Sequence, residues 1–442
     1  MAREGGLSTY RRVLSGRRTG VPFVAATIAR LPISMAPLGI VLLVQHVSGS
    51  YGRAGTVAGA FAVGTSLGAP VWGRALDRWG QPRVIAPTAA LSATLLAVLA
   101  LASVQGAPLA ALLTAGFLAG VTFPPMTPSM RAAWRVALPD QTQVRAAYAL
   151  DAVAVETIFI VGPLLLSLLL LAGTPALPLF VTSALMLGGG LIYARTASAR
   201  EAWSHGQRER ARPTSPVEGL VSDEPEPTSR LSRAVERVLP IGLLPVLATS
   251  LSMAVAFGAI DTSLAATARD VLGNPSQLGF LFAAIAGGSA CGGLWFGTRD
   301  LAHRRQTRFL PFLPLTFAAG LVPLSILLGE STPALMLLLP LLFFTGLAIS
   351  PTLIILQNLV DIASPSARVN EGQSWLATSI TTGAGVGTAV AGALVDAAGA
   401  AWSFAAAGLA ALVTAIMAGR LSRQHHRRTW PPRTVTSNWR AS

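Results

Sequence analysis

Charge is scarce in this sequence. Only 12% of its 442 residues are Asp, Glu, Lys or Arg, against about 25% in an ordinary soluble protein. With 52% hydrophobic residues and a mean hydropathy of +0.58, the chain lacks the polar surface to cover itself in water. That excludes a soluble globular protein and makes lipid its solvent. Lysine is absent: all 33 basic residues are arginine, a compositional bias that carries little mechanism. The single cysteine, Cys291, excludes an internal disulfide and a cysteine metal cluster, and in its apolar run it is expected to be packing. The five histidines, His46, His205, His303, His425 and His426, fall in loops, tails or span ends; only the last two are close together, in a basic tail, so no metal site is expected. No phosphate-binding loop is present, because glycine runs such as Gly188-Gly189-Gly190 lie inside apolar stretches. No enzyme signature and no cofactor are expected. The net charge of +14 would by itself suit nucleic acid. Here the arginines sit between apolar runs rather than on one compact face, which removes nucleic acid as a partner.

What is abundant is apolar length. A membrane helix needs about 20 mostly apolar residues, and twelve such stretches are present. They are 21–47, 54–74, 83–104, 108–130, 147–172 and 176–195 in the first half, and 240–268, 276–298, 308–328, 332–358, 372–396 and 399–420 in the second. The expected fold is an all-α membrane protein of twelve transmembrane helices in two pseudo-symmetric six-helix bundles, residues 21–195 and 240–420. Tails at 1–20 and 421–442 and a linker at 196–239 would be cytoplasmic. The linker, with Asp223-Glu224-Pro225-Glu226-Pro227, is too polar to fold alone. The first apolar run is longer than a signal-peptide core, so it is expected to be retained as a membrane helix.

Arginine placement orients the chain. With both termini cytoplasmic, the outer loops hold only Arg53 and Arg269, and Arg30 lies inside span 1. All the others gather on the cytoplasmic side of a multi-pass cell-membrane protein. A shift of 223 residues maps Gly64 to Gly287, Trp72 to Trp295, Asp77 to Asp300 and Gly162 to Gly385, as parallel transporter repeats would.

Between spans 2 and 3 lies a compact charged insert, Gly73-Arg74-Ala75-Leu76-Asp77-Arg78-Trp79-Gly80-Gln81-Pro82-Arg83. It resembles the loop between the second and third helices of major facilitator superfamily transporters: Gly, three residues, Asp-Arg, one residue, Gly, then basic residues. Gln81 and Pro82 stand where the family often has another basic residue. The resemblance implies two six-helix halves that alternate access to a central cavity. It also implies a gating charge clasp, built here from Gly73, Asp77, Arg78, Gly80 and Arg83, with Glu371 at the start of span 11 as partner. The glycine near the helix end is expected to let two backbones approach.

Buried ionisable residues are the next candidates, because each needs a partner or a water-filled cavity. Arg30 and Glu156 each lie about ten residues into their spans from the same side, hence at equal depth of roughly 15 Å. They are the expected pair, with Glu156 as a proton carrier or as half of a fixed ion pair. Asp151, about 140° around the helix from Glu156, is expected near the cytoplasmic surface against loop arginines such as Arg145 or Arg299. Asp261 in span 7 is expected toward the outer end, binding substrate or a proton, or simply reaching water. Gly162-Pro163 in span 5 resembles part of an antiport marker of drug-exporting relatives and is expected to kink the helix; three leucines follow where that marker has glycines. Exporters of the family often carry an Arg in helix 4, and span 4 here has none. Prolines 32, 37, 124, 125, 128 and 351 are expected to break spans 1, 4 and 10. Helices 1, 4, 7 and 10 line the family's cavity, so Ser34, Thr122, Gln357 and Asn358 are lining candidates, with Trp375 as a wall or interface anchor. Their sparse polarity suits an apolar ligand.

The expected function is proton-coupled export of an amphipathic or hydrophobic small molecule by a monomer in the lipid bilayer. The rivals are an uptake permease for a small polar or anionic solute held by Arg30, a membrane-embedded enzyme, and a non-transporting sensor using the linker as a partner site.

Overall fold

The computed structural model describes residues 14, 16, 18–138, 141–201, 243–297, 308–330, 335–363 and 369–428. Among them every regular element is helical. Twelve helical spans are long and apolar enough to cross a membrane: Gly20–Ser48, Tyr51–Leu76, Gln81–Val104, Leu109–Ala137, Ala146–Leu170, Leu177–Ala194, Leu244–Val271, Pro275–Phe296, Phe312–Gly329, Leu335–Ala363, Trp375–Ala398 and Ala400–Arg423. They are numbered 1–12 below. Large apolar side chains such as Leu168, Leu294 and Trp402 point outward, each more than 60% exposed, while serines and threonines are drawn inward. That inversion is what a lipid solvent selects. Cys291 is likewise exposed rather than packed. Most of the linker, and the Arg299-Asp300 copy of the charged insert, lie outside the described residues.

Proline chemistry explains where spans 4 and 10 break. Span 4 is helical over Leu109–Val121 and again over Met126–Ala137. Pro125 has no N–H for the carbonyl four residues back, Val121. The Trp72 indole of span 2 donates to that oxygen instead, at 2.5 Å. In span 10 the helix Leu335–Gly346 stops and restarts at Ile349. The break falls at Leu347, four residues before Pro351 and not at the proline itself. Beside each break lies a glycine of the neighbouring helix. Gly64 and Gly68 of span 2 face the Phe117 and Val121 carbonyls, and Gly288 and Gly292 of span 8 face those of Phe343 and Leu347. A Cβ at any of these four would strike backbone. The repeat therefore pairs Gly64 with Gly288, one residue off the register expected from sequence; Gly287 meets only the edge of the Phe343 ring.

The two halves meet through spans 2 and 11 and through spans 5 and 8. Contacts concentrate at the end of the bundle away from the termini, called here the distal end. Gly55 lies against Thr388, Gly59 against Gly385, and Gly279 against Ser167. Further along the same seam, Thr382 Oγ1 donates to Ser66 Oγ at 3.1 Å.

Candidate functional site

Arg30 is wholly buried, and its Nη1 meets Asp151 Oδ1 at 2.7 Å, with the Asp151 side chain 3% exposed. Its Nε donates to Ala26 O at 3.2 Å, while Nη2 is buried with no partner among the described residues. Asp151 is thus an acid that neutralises Arg30, and it lies in the interior rather than near the surface. The helix of span 5 begins at Gln141, six residues earlier than hydropathy suggests. Asp151 is then ten residues in, as Arg30 is from Gly20. The helix start therefore brings Asp151 to the depth of Arg30. The Glu156 side chain lies outside the described residues.

The ion pair sits beside a tight apolar and polar cluster at the terminal side of the first half. Trp134 is fully buried there, with the Phe23 ring 5.8 Å away. Tyr193 Oη donates to Gln81 Oε1 at 3.0 Å, and Gln81 Nε2 donates to Ser129 O at 3.0 Å. Gln81 is 5% exposed. The neutral residue at this position, a departure from the family pattern, ties the charged insert to spans 4 and 6 and would bury a charge if it were basic.

Around the insert, Gly80 has φ 86° and joins the helix ending at Trp79 to the one starting at Gln81. Glycine adopts that angle without strain. Gly73 is different: a Cβ there would meet nothing within 4 Å, so the expected close approach is absent. Arg78 is exposed, 6.0 Å from the Trp79 ring centroid. Arg83 lines a recess of about 170 Å³ with Trp72 and Trp79. The side chains of Asp77 and Glu371 lie outside the described residues, although both backbones are helical.

Asp261 lies ten residues before the end of span 7, about 15 Å along the helix. That is deeper than an interfacial acid, because the helix continues through a π-helical turn, Thr267–Val271. It is half-buried, and among the described residues no cation or hydrogen-bond donor acts on its carboxylate. The other described acids of the spans have polar or charged neighbours: Asp151 is held by Arg30, Asp361 by Gln373 Nε2 at 2.6 Å and Asp396 by the start of span 2, while Asp270 has Tyr51 and Arg269 nearby.

Ser34 and Thr122 are buried and occupied. Ser34 Oγ donates to Leu31 O at 3.1 Å and Ile158 O at 3.0 Å, and Thr122 Oγ1 donates to Leu118 O at 2.8 Å. Ser34 thereby ties span 1 to span 5, while Thr122 bonds back within span 4. Gly162 gives Ser34 its room, since a Cβ there would collide with the Ser34 hydroxyl. Pro163 lies within one continuous helix, Gln141–Leu170. Gln357 is exposed, and Asn358 and Trp375 are half-buried. Sequence reasoning missed Asp396, whose only local sign is its place at the end of span 11.

Twelve membrane-crossing helices in two six-helix halves, each with a matching broken helix, define a polytopic membrane protein. Residues 23–368 match the Major Facilitator Superfamily, and the chain belongs to that family. No curated protein matches the sequence. Solved structures match its fold over nearly full length. A mutant of the peptide transporter POT in complex with sulfate is 14% identical, with a TM-score of 0.67 over 96% of this chain and 99% of that one. A bacterial homolog to the human lysosomal transporter Spinster, inward-facing and unoccupied, is 15% identical, with a TM-score of 0.64 over 95% and 99%. The human organic anion transporter MFSD10 is 18% identical, with a TM-score of 0.56 over 92% and 99%.

Proposed function

We propose that this transporter is a secondary active exporter in the cell membrane, with both termini cytoplasmic, that exchanges protons for an amphipathic or hydrophobic small molecule by alternating access. The observation that carries the reading is Asp261. A carboxylate inside an apolar span with no cation beside it must take a proton or a positively charged group to remain there. Proton and cationic substrate competing for one carboxylate is a sufficient basis for exchange. The sparse polarity of the spans supports an apolar cargo, more so now that Ser34 and Thr122 spend their hydroxyls on backbone carbonyls. Uptake of an anionic solute by Arg30 is disfavoured, since Arg30 is 0% exposed and already holds Asp151. Halves joined at the distal end correspond, in this orientation, to an inward-facing state. The clasp of Asp77, Arg78, Arg83 and Glu371 would close the opposite end in the other state. Glu156 is the second candidate proton carrier.

The test uses proteoliposomes with an imposed pH gradient and a panel of amphipathic compounds. Asp261→Asn is expected to abolish gradient-driven transport while sparing substrate exchange at equal pH. Full gradient-driven transport by Asp261→Asn would remove the coupling role from this residue, and Glu156→Gln in the same assay would show whether it resides there instead.

A further inference from the structure

The carboxylate of Asp396, the last acid of span 11, lies across the seam from the first residues of span 2. Its Oδ2 accepts from Ser50 Oγ at 2.5 Å and from Gly52 N at 2.8 Å, and its Oδ1 accepts from Tyr51 N at 2.7 Å. Ser50 is the N-cap residue of span 2, and its hydroxyl oxygen also accepts from Arg53 N at 3.1 Å. The first N–H groups of any helix have no partner inside it, and the helix dipole places partial positive charge there. Span 2 thus has its N-terminus completed by a carboxylate from the other half of the protein, through short charge-assisted bonds.

The surroundings make this contact specific to one arrangement of the halves. Tyr51 is buried, and Gly392, one turn before Asp396, sits directly on the Tyr51 carbonyl. The Tyr51 hydroxyl faces Asp270 of the π-helical turn, with Arg269 nearby, although it falls short of full hydrogen-bond geometry. If the distal ends separate, Asp396 loses all three donors together, and span 2 keeps only its own Ser50 cap on Arg53 N. Among the described residues, Asp396 is the acceptor for Tyr51 N and Gly52 N.

We infer that Asp396 is a positioning residue for transport: it latches the distal gate by capping span 2, and so sets the balance between distal-closed and distal-open states. This rests on the alternating-access reading above. It adds a distal counterpart to the clasp at the opposite end.

The experiment is pulsed electron–electron distance measurement on the full chain in lipid nanodiscs. Spin labels are placed at Gln105→Cys and Ala397→Cys, both exposed positions at the distal end, in a Cys291→Ser background. Asp396→Ala is expected to raise the ratio of distal-open to distal-closed molecules on the order of 10-fold. Asp396→Asn and Ser50→Ala are expected to produce smaller shifts in the same direction. Ser50→Ala added to Asp396→Ala should produce no further shift, because the hydroxyl then has no carboxylate to serve. Two populations whose ratio moves less than about 2-fold in folded Asp396→Asn and Asp396→Ala protein would overturn the latch and leave alternating access standing. Fully additive shifts from Ser50 and Asp396 would also overturn it. One invariant narrow distance in every variant, with and without transported compound, would overturn alternating access itself.

Discussion

Removing one partner of the Arg30–Asp151 pair leaves the other charged in a buried site. Asp151→Leu strands a guanidinium that is 0% exposed and whose Nη2 has no partner among the described residues. Breaking such a pair from one side costs about 3–5 kcal/mol. Replacing both members behaves differently. Arg30→Met with Asp151→Leu removes two desolvated charges at once, and the orphaned Nη2 goes with them, so the double variant should lie within about 1 kcal/mol of the parent or above it. The cycle therefore predicts a coupling of about 3 kcal/mol or more between positions 121 residues apart. Reversible unfolding in mixed micelles, followed by tryptophan fluorescence, measures each corner. Trp134 lies in the same cluster and reports on it directly. The reasoning fails if Asp151→Leu costs less than about 1 kcal/mol, or if the double variant is as unstable as the worse single one. Either result would mean that water reaches the pair and that it is a solvated contact.

Two further expectations concern packing, and the same unfolding assay checks both. Gly73→Ala should be neutral or stabilise by up to about 1 kcal/mol, since the position is helical and a Cβ there meets open space; destabilisation beyond that range would restore the close-approach role the sequence suggested. Trp72→Phe should cost about 1–3 kcal/mol, because Val121 O loses the indole N–H that replaces the one missing at Pro125, and a neutral outcome would mean that another donor serves this oxygen.

Much of the architecture was legible because lipid permits so little else. A bilayer demands long apolar helices, and all twelve spans could be placed from hydropathy alone. The breaks in spans 4 and 10 followed from proline, although the second lies four residues before Pro351, where the missing bond is felt. What hydropathy does not register is a polar helix start. Gln141 to Arg145 begin the helix of span 5 below the apolar run, and that shift of a turn and a half put Asp151 opposite Arg30. Asp396 was illegible for a different reason. Its partners are 344 to 346 residues away, and nothing in either segment alone indicates that a carboxylate at the end of one helix caps the start of another. Gly73 and Gly64 mark a third limit: composition says that a glycine is present, but only the neighbouring helix says whether it is needed.

Span 11 carries small residues on two faces with different allegiances. Gly383 and Gly387 are pressed against Leu251 and Val255 of span 7, within the same half, whereas Gly385 and Gly392 are pressed against Ala62 and Tyr51 of span 2, in the other half. The helix is therefore glued on one side and merely rests on the other. A bulky side chain at 383 or 387 attacks the integrity of the second bundle in every state. The same change at 385 or 392 is harmful only while the seam is shut, and so biases the machine without unmaking it. Within ten residues of one helix, genetics should separate mutations that only second-site repacking can rescue from mutations that behave as dials.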